Sequence, residues 1–261
     1  MTPHATRLSV NLNKVALLRN SRTLGIPSVV SAGVIVLDAG ARGLTVHPRP
    51  DERHIRPHDV FELAELVRSR RNIEYNIEGN PFENLLDYAR KVHPHQCTLV
   101  PDDPAQFTSD HGWDLLRNET RDAQRLKPII AEMKSLCIRV SLFMDATPQH
   151  MVLAAEVGAD CVELYTEPYA KAYGTPDQAR VLAQYAAAAD AARDAGLLVN
   201  AGHDLNRENL ASFLAVVNPV AEVSIGHALV ADALELGLSA TVHEYLTAIA
   251  SGGSEHKAEV A

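Results

Sequence analysis

Three histidines each close a short apolar run, in "GLTVHPRPDERH", "VNAGHDL" and "SIGHALV", which makes His47, His203 and His227 the first residues to weigh for proton chemistry. An imidazole titrates near neutrality and serves as acid or base without a large shift. Arg49, Arg53 and His54 follow His47 within eight residues, and guanidinium forks match the oxygens of a phosphate. The plain alternative is a solvated charged loop, against which the density of basic groups weighs. Glu74 lies inside "NIEYNIEG" and alternates with Ile73, so its side chain is expected inside a sheet, where burial raises a carboxyl pKa toward the range of proton transfer. A structural ion pair with an arginine is the other reading of Glu74, and the sequence leaves it open. Glu163 in "CVELYTE" raises the same question, as a fixed negative charge near a cationic or polar intermediate. Gly226 and His227 stand at the entry to a helix, where free N–H groups and the helix dipole favour a phosphate.

Other chemistries find less support. Cys97, Cys137 and Cys161 are odd in number, far apart and without a CxxC pair, so they read as buried reduced thiols. No HxH stands on the first apolar run and no HExxH occurs anywhere, so no metal is expected. A net charge of −9 argues against general nucleic-acid binding, which needs a cationic surface. No apolar run approaches the roughly 18 residues of a membrane span, and the N-terminus lacks the regions of a signal peptide, so a cytoplasmic location without membrane attachment is expected.

The elements that must hold these groups alternate regularly. Eight apolar runs rich in Val, Ile, Leu and Thr ("LSVNLN", "GLTVHP", "NIEYNIEG", "QCTLVP", "RVSLFMD", "CVELYTE", "LLVNAGHD" and "AEVSIGH") are separated by amphipathic stretches over 27–41, 57–70, 81–92, 122–136, 147–158, 175–195, 206–217 and 228–250. Unbroken βα alternation implies parallel strands with right-handed crossovers. Eight units in about 250 residues favour an α/β fold of one closed (β/α)8 TIM barrel over an open doubly wound sheet. No GxGxxG turn follows the first strand, as the open sheet would require. A single domain spanning 1–261 is expected, its core about 8–250, with 1–7 and 251–261 as loose termini. Barrel sites lie at the C-terminal strand ends, so His47, Glu74, Glu163, His203 and His227 are expected around one mouth.

With these residues in view, the chain resembles the pyridoxine 5'-phosphate synthase family from about residue 8 to 246, through "VNLNKVALLRNSR", "GLTVHPRPDERHI", "NIEYNIEG", "CTLVP", "VSLFMD", "VELYTEPYA", "VNAGHDL" and "SIGHALV". The resemblance implies condensation of 1-deoxy-D-xylulose 5-phosphate with 3-amino-2-oxopropyl phosphate to pyridoxine 5'-phosphate, phosphate and water, without metal or organic cofactor. It implies His47 and Glu74 as proton acceptors, His203 as proton donor and Glu163 as transition-state stabiliser. It assigns Asn11, Arg22, the backbone of Asp204, Gly226 and His227 to the aminoketone phosphate, and Asn13, Lys14, Arg49, His54 and Thr108 to the deoxyxylulose phosphate. It also implies a homo-octamer. The chain departs from the better-known sequences at Asn13-Lys14 (Asp-His there), at "YTEPYA" ("HTGCYA" there) and at Asp204 (glycine there). Alternatives from other classes are a phosphosugar-binding barrel without chemistry and a different phosphosugar lyase or isomerase.

Overall fold

The computed structural model describes residues 6–103, 105, 106, 108–115 and 122–259. Eight parallel strands, β1 (Arg7–Asn11), β2 (Gly43–Val46), β3 (Glu74–Gly79), β4 (Gln96–Leu99), β5 (Arg139–Met144), β6 (Cys161–Tyr165), β7 (Leu198–His203) and β8 (Glu222–Ile225), pair in sequence order. The barrel closes where Arg7–Val10 pairs with Glu222–Ile225. The eight strands expected from alternation are all present.

The helices match less closely. The expected ones appear as α2 (Val29–Asp38), α3 (Pro57–Arg68), α4 (Leu85–Val92), α5 (Asp122–Ser135), α6 (Pro148–Glu156), α8 (Gln178–Asp194) and α9 (Leu210–Val216). Two further helices, α1 (Asn13–Asn20) and α7 (Glu167–Ala172), start one residue after strands, where segments of eight and six residues show too few turns for a periodic pattern. The single stretch expected over 228–250 is two helices, α10 (His227–Leu236) and α11 (Leu238–Glu259), parted by Gly237 at φ 82°. Helix α11 therefore runs past the expected core boundary at 250, and β1 begins within the expected loose start; residues 1–5, 260 and 261 lie outside the described residues.

Alternation along the strands sorts the interior. Leu8, Val10, Leu44, Val46, Ile77, Leu99, Leu142, Leu164, Val223 and Ile225 are buried outward against the helices, as βα layering requires. The opposite face is polar, where barrels of this kind usually carry bulky aliphatics. Contacts between strands that are not neighbours show that these side chains meet across the lumen. Thr98 on β4 donates to Glu163 on β6 at 3.4 Å, and Asn200 on β7 donates to Gln96 on β4 at 3.3 Å.

At the N-terminal end of the lumen, Glu222 sits fully buried near Arg7, Glu74 and Arg139. Burial pushes its carboxyl up to about 7, with Arg7 pulling the other way and Glu74 adding repulsion. The folded protein keeps a proton that the unfolded chain releases, so this group's stabilisation is full below the ordinary carboxyl pKa and is lost as pH rises through about 7. Glu222→Gln, which cannot titrate, is expected to match the wild type at about pH 3.5 and to exceed it by up to about 3 kcal/mol at about pH 8.5. Urea unfolding at the two pH values checks this; a constant difference would remove Glu222 as its source.

Candidate active site

A cavity of about 280 Å³ opens at the C-terminal ends of the strands. All the expected site residues line it except Glu74 and Arg22: Asn11, Asn13, Lys14, His47, Arg49, His54, Thr108, Glu163, His203, Asp204, Gly226 and His227. Arg53, Glu78, Ser109, Phe143 and Ser224 complete the polar and aromatic wall.

The loop after β2 forms one side. His47 is buried, its main-chain N–H held at 2.9 Å by the side-chain oxygen of Asn13, so the amide supplies the acceptor this contact needs. Its Nδ1 lies 3.9 Å from Glu78 Oε2 and its Nε2 3.7 Å from Asp102 Oδ2. Burial, then Arg49, His54 and Arg53, push the His47 pKa well below its usual value, which leaves a neutral ring able to take a proton. His54 is pushed down to about 4, by burial first and then by Arg49 and Lys14. Its Nδ1 accepts the Ile55 N–H at 2.9 Å, so the ring carries its proton on Nε2. Arg49 is buried beside Asp102, which also accepts from Ser109 at 2.9 Å. Burial raises the Asp102 carboxyl even though Arg49 opposes the shift.

Glu74 stands apart from this cavity. Glu74 does face the lumen, but it is the first residue of β3 and level with Gly43, the first of β2; its carboxylate is clasped by Arg7 and Arg139, the first residues of β1 and β5. It belongs to an ion cluster at the N-terminal end of the barrel, and those arginines hold its pKa below the usual value against the effect of burial. The carboxyl at the mouth is Glu78, four residues further on the same face and roughly 13 Å along the strand. Asn11 donates to Glu78 Oε2 at 3.3 Å. Burial, reinforced by Glu163 and Asp102, pushes Glu78 well above the usual carboxyl range. The same period-two pattern that marks Glu74 marks Glu78, and that was the available signal. Below it Glu163 is raised to about 7 by burial and the charge of Glu222.

Across the mouth, His203 ends β7 with φ 76°, a left-handed conformation that turns the chain at the strand end. Its ring packs edge-on to Tyr165, with centroids 5.4 Å apart, and 6.4 Å from the Phe143 ring. Its Nε2 is 3.2 Å from the Thr108 hydroxyl. Tyr165 in turn donates to Glu167 at 2.9 Å, so the departure at "YTEPYA" builds one wall of the histidine's pocket. The preceding Gly202 is required by space: a Cβ there would stand 2.6 Å from the Ser224 carbonyl oxygen and 2.8 Å from Glu163 Oε1.

Gly226 precedes α10, whose first residue is His227, so free main-chain N–H groups stand at the cavity wall. Arg22 does not line this cavity. Helix α1 carries the chain about 12 Å from the end of β1, and Arg22 sits in the exposed connection that follows. Among the described residues no group of three His, Cys, Asp or Glu side chains is arranged to hold a metal, and no helix is long and apolar enough to cross a membrane.

Comparison with known proteins bears on this site. Among solved structures the chain resembles tryptophan synthase from M. tuberculosis, with TM-score 0.63 and 13% identity over 95% of this chain and 93% of that one, a likeness of fold alone. The pyridoxine 5'-phosphate synthase of Albidiferax ferrireducens is 60% identical over 95% of this chain and 99% of its own length. That of Xanthomonas campestris is 52% identical over 96% and 98%. The family model described as pyridoxal phosphate biosynthesis protein PdxJ matches residues 8–251, from the first barrel strand into the last helix, and it is to this family that the chain belongs.

Proposed function

We propose that this protein is a pyridoxine 5'-phosphate synthase, joining 1-deoxy-D-xylulose 5-phosphate to 3-amino-2-oxopropyl phosphate with loss of phosphate and water. The observation that carries the reading is 60% identity to a synthase over nearly the whole chain. The cavity chemistry fits it. Amine addition to a ketone, dehydration, phosphate departure and ring closure each move protons, so groups with separated pKa values must surround one pocket. Neutral His47 takes a proton, with the carboxyl of Glu78 beside it in the place first expected of Glu74. Glu163, whose burial holds it near neutrality, stabilises positive charge developing in the lumen, and His203 returns a proton to the departing oxygen. The roles of donor and acceptor thus fall on opposite sides of the mouth.

Two phosphates need two anion sites. Lys14, Arg49 and the Nε2–H of His54, with Asn13 and Thr108, form one for the deoxyxylulose phosphate. Asn11, the start of α10 at Gly226 and His227, and the backbone of Asp204 form the other. Neither metal nor organic cofactor enters this scheme. A cytoplasmic enzyme that self-associates, to a homo-octamer by the family resemblance, is the accompanying reading; the exposed apolar side chains of Leu18, Leu24 and Ile26 support association. Incubation of the purified protein with both phosphates is expected to yield pyridoxine 5'-phosphate and one inorganic phosphate per turnover. Binding of both without product would leave a phosphosugar-binding barrel instead.

The second anion site has its own test. Gly226 has φ −126°, so no left-handed conformation demands a glycine there, but a Cβ would stand 3.0 Å from Asn11 Cβ and 3.2 Å from its main-chain oxygen. Gly226→Ala is therefore expected to push Asn11 and the helix start apart and weaken inorganic phosphate binding about tenfold, the loss of one charge-assisted hydrogen bond. Calorimetric titration checks this, and unchanged affinity would remove Gly226 from the site.

A further inference from the structure

The side chain of Asp204 has no part in the scheme above, which uses only its backbone. Its Oδ2 lies 2.6 Å from Nδ1 of His203, the shortest polar contact of that ring. Its main chain is tied down on both sides: the N–H donates to the Thr166 hydroxyl at 3.4 Å, and the carbonyl accepts from Asn209 Nδ2 at 3.3 Å. The ring itself is confined by Tyr165 and Phe143 and by its own left-handed backbone. Titratable groups facing it from other elements are Glu163 on β6 and His47 just after β2. Neither is within hydrogen-bond reach in the way Asp204 is.

An ionised carboxylate can only accept, so the ring nitrogen that faces it must carry a proton. In a neutral imidazole that leaves the lone pair on the other nitrogen; in an imidazolium it leaves the second N–H there. We propose that Asp204 is the positioning residue of a His–Asp dyad, holding the Nδ1 proton of His203 so that Nε2 alone exchanges protons with the substrate in the cavity. The proposal rests on the reading of His203 as proton donor. In the donating step the Nε2–H bond breaks, the proton passes to the departing substrate hydroxyl, which leaves as water, and neutral His203 keeps its Nδ1–H on Asp204. Thr108, 3.2 Å from Nε2, marks the direction in which that proton leaves. A carboxylate that orients an imidazole in this way typically accounts for one or two orders of magnitude in rate.

The test uses the full-length protein with Asp204→Ala, Asp204→Asn and His203→Ala, read by steady-state kinetics and by nitrogen-15 NMR of the histidine rings, the His203 signals being those missing in His203→Ala. Asp204 is about a third exposed, so these variants should fold, and thermal melts verify that. Asp204→Ala is expected to lower kcat about 10- to 100-fold with KM for both phosphates within about threefold, and to move the neutral ring toward the Nε2–H tautomer. Asp204→Asn, which keeps an oxygen acceptor, is expected to recover part of both. A His203 ring signal unchanged in Asp204→Ala, or a kcat within about threefold of wild type while His203→Ala is impaired, overturns the dyad. If His203→Ala also keeps wild-type kcat, the donor reading falls and the dyad's catalytic role falls with it. A rise in KM at unchanged kcat would make Asp204 a substrate contact and equally overturn the proposal.

Discussion

His203→Ala is expected to lower kcat by about 10² to 10⁴, with KM for either phosphate changed little, because the ring supplies a proton in the transition state rather than uniform binding. The size follows from the loss of a positioned general acid. The geometry makes the ring positioned: Nδ1 is held by Asp204, one edge packs on Tyr165, and the left-handed backbone fixes where the side chain leaves the chain. Stability should change little, since the side chain is about 29% exposed at the mouth and alanine inherits a backbone strain that histidine already bears. A kcat within about threefold of wild type would show that another group, such as the carboxyl of Glu78 across the cavity, delivers the proton.

Arg19→Met is expected to cost about 3–5 kcal/mol of stability, lowering Tm by roughly 10 °C. Arg19 and Asp59 are both buried, and the pair is bidentate, with Arg19 Nη2 at 2.9 Å from Asp59 Oδ2. The same guanidinium donates to the His54 carbonyl at 3.1 Å, and Asp59 also accepts the Arg56 N–H at 2.8 Å to start α3. Removing Arg19 strands a charge in the protein interior, which is the costly case; replacing both partners with apolar residues restores much of the loss except for the helix cap. Because this bridge holds the loop that carries Arg49 and His54, phosphate binding in Arg19→Met is expected to weaken as well. Denaturant unfolding of the single and double variants checks the argument: a single-variant loss below about 1 kcal/mol would mean that water reaches the pair.

The alternation of short apolar runs with amphipathic stretches carried the barrel, because each strand's burial on its helix-facing side and each helix's apolar stripe are written locally. Strand ends likewise pointed to His47, His203 and Gly226, since the C-terminal end of a barrel strand is reached by counting to the end of its apolar run. Helix α1 was not legible in the same way. Its eight residues follow β1 with one intervening residue and include exposed leucines, so no helical stripe marks it off from the strand before it. The polar lumen was hidden as well, because a serine or threonine alternating with a buried aliphatic reads as solvent-facing until the sheet closes on itself.

Glu74 and Glu78 show where the local pattern ends. Both occupy the inward phase of "NIEYNIEG", and period two distinguishes faces, not heights. Height comes from register: Gly43 pairs with Glu74 and Val46 with Ile77, so the next residue on each strand brings Glu78 level with His47 and leaves Glu74 among Arg7 and Arg139 at the far end. Those pairings depend on how far each neighbouring strand is offset as the barrel closes, a property of eight segments together that no one segment encodes. The contact of Asp204 with its neighbour His203 is of the same kind, since two adjacent side chains leave an ideal strand on opposite faces. Only the turn of the chain at φ 76°, where β7 meets the mouth, lets them meet.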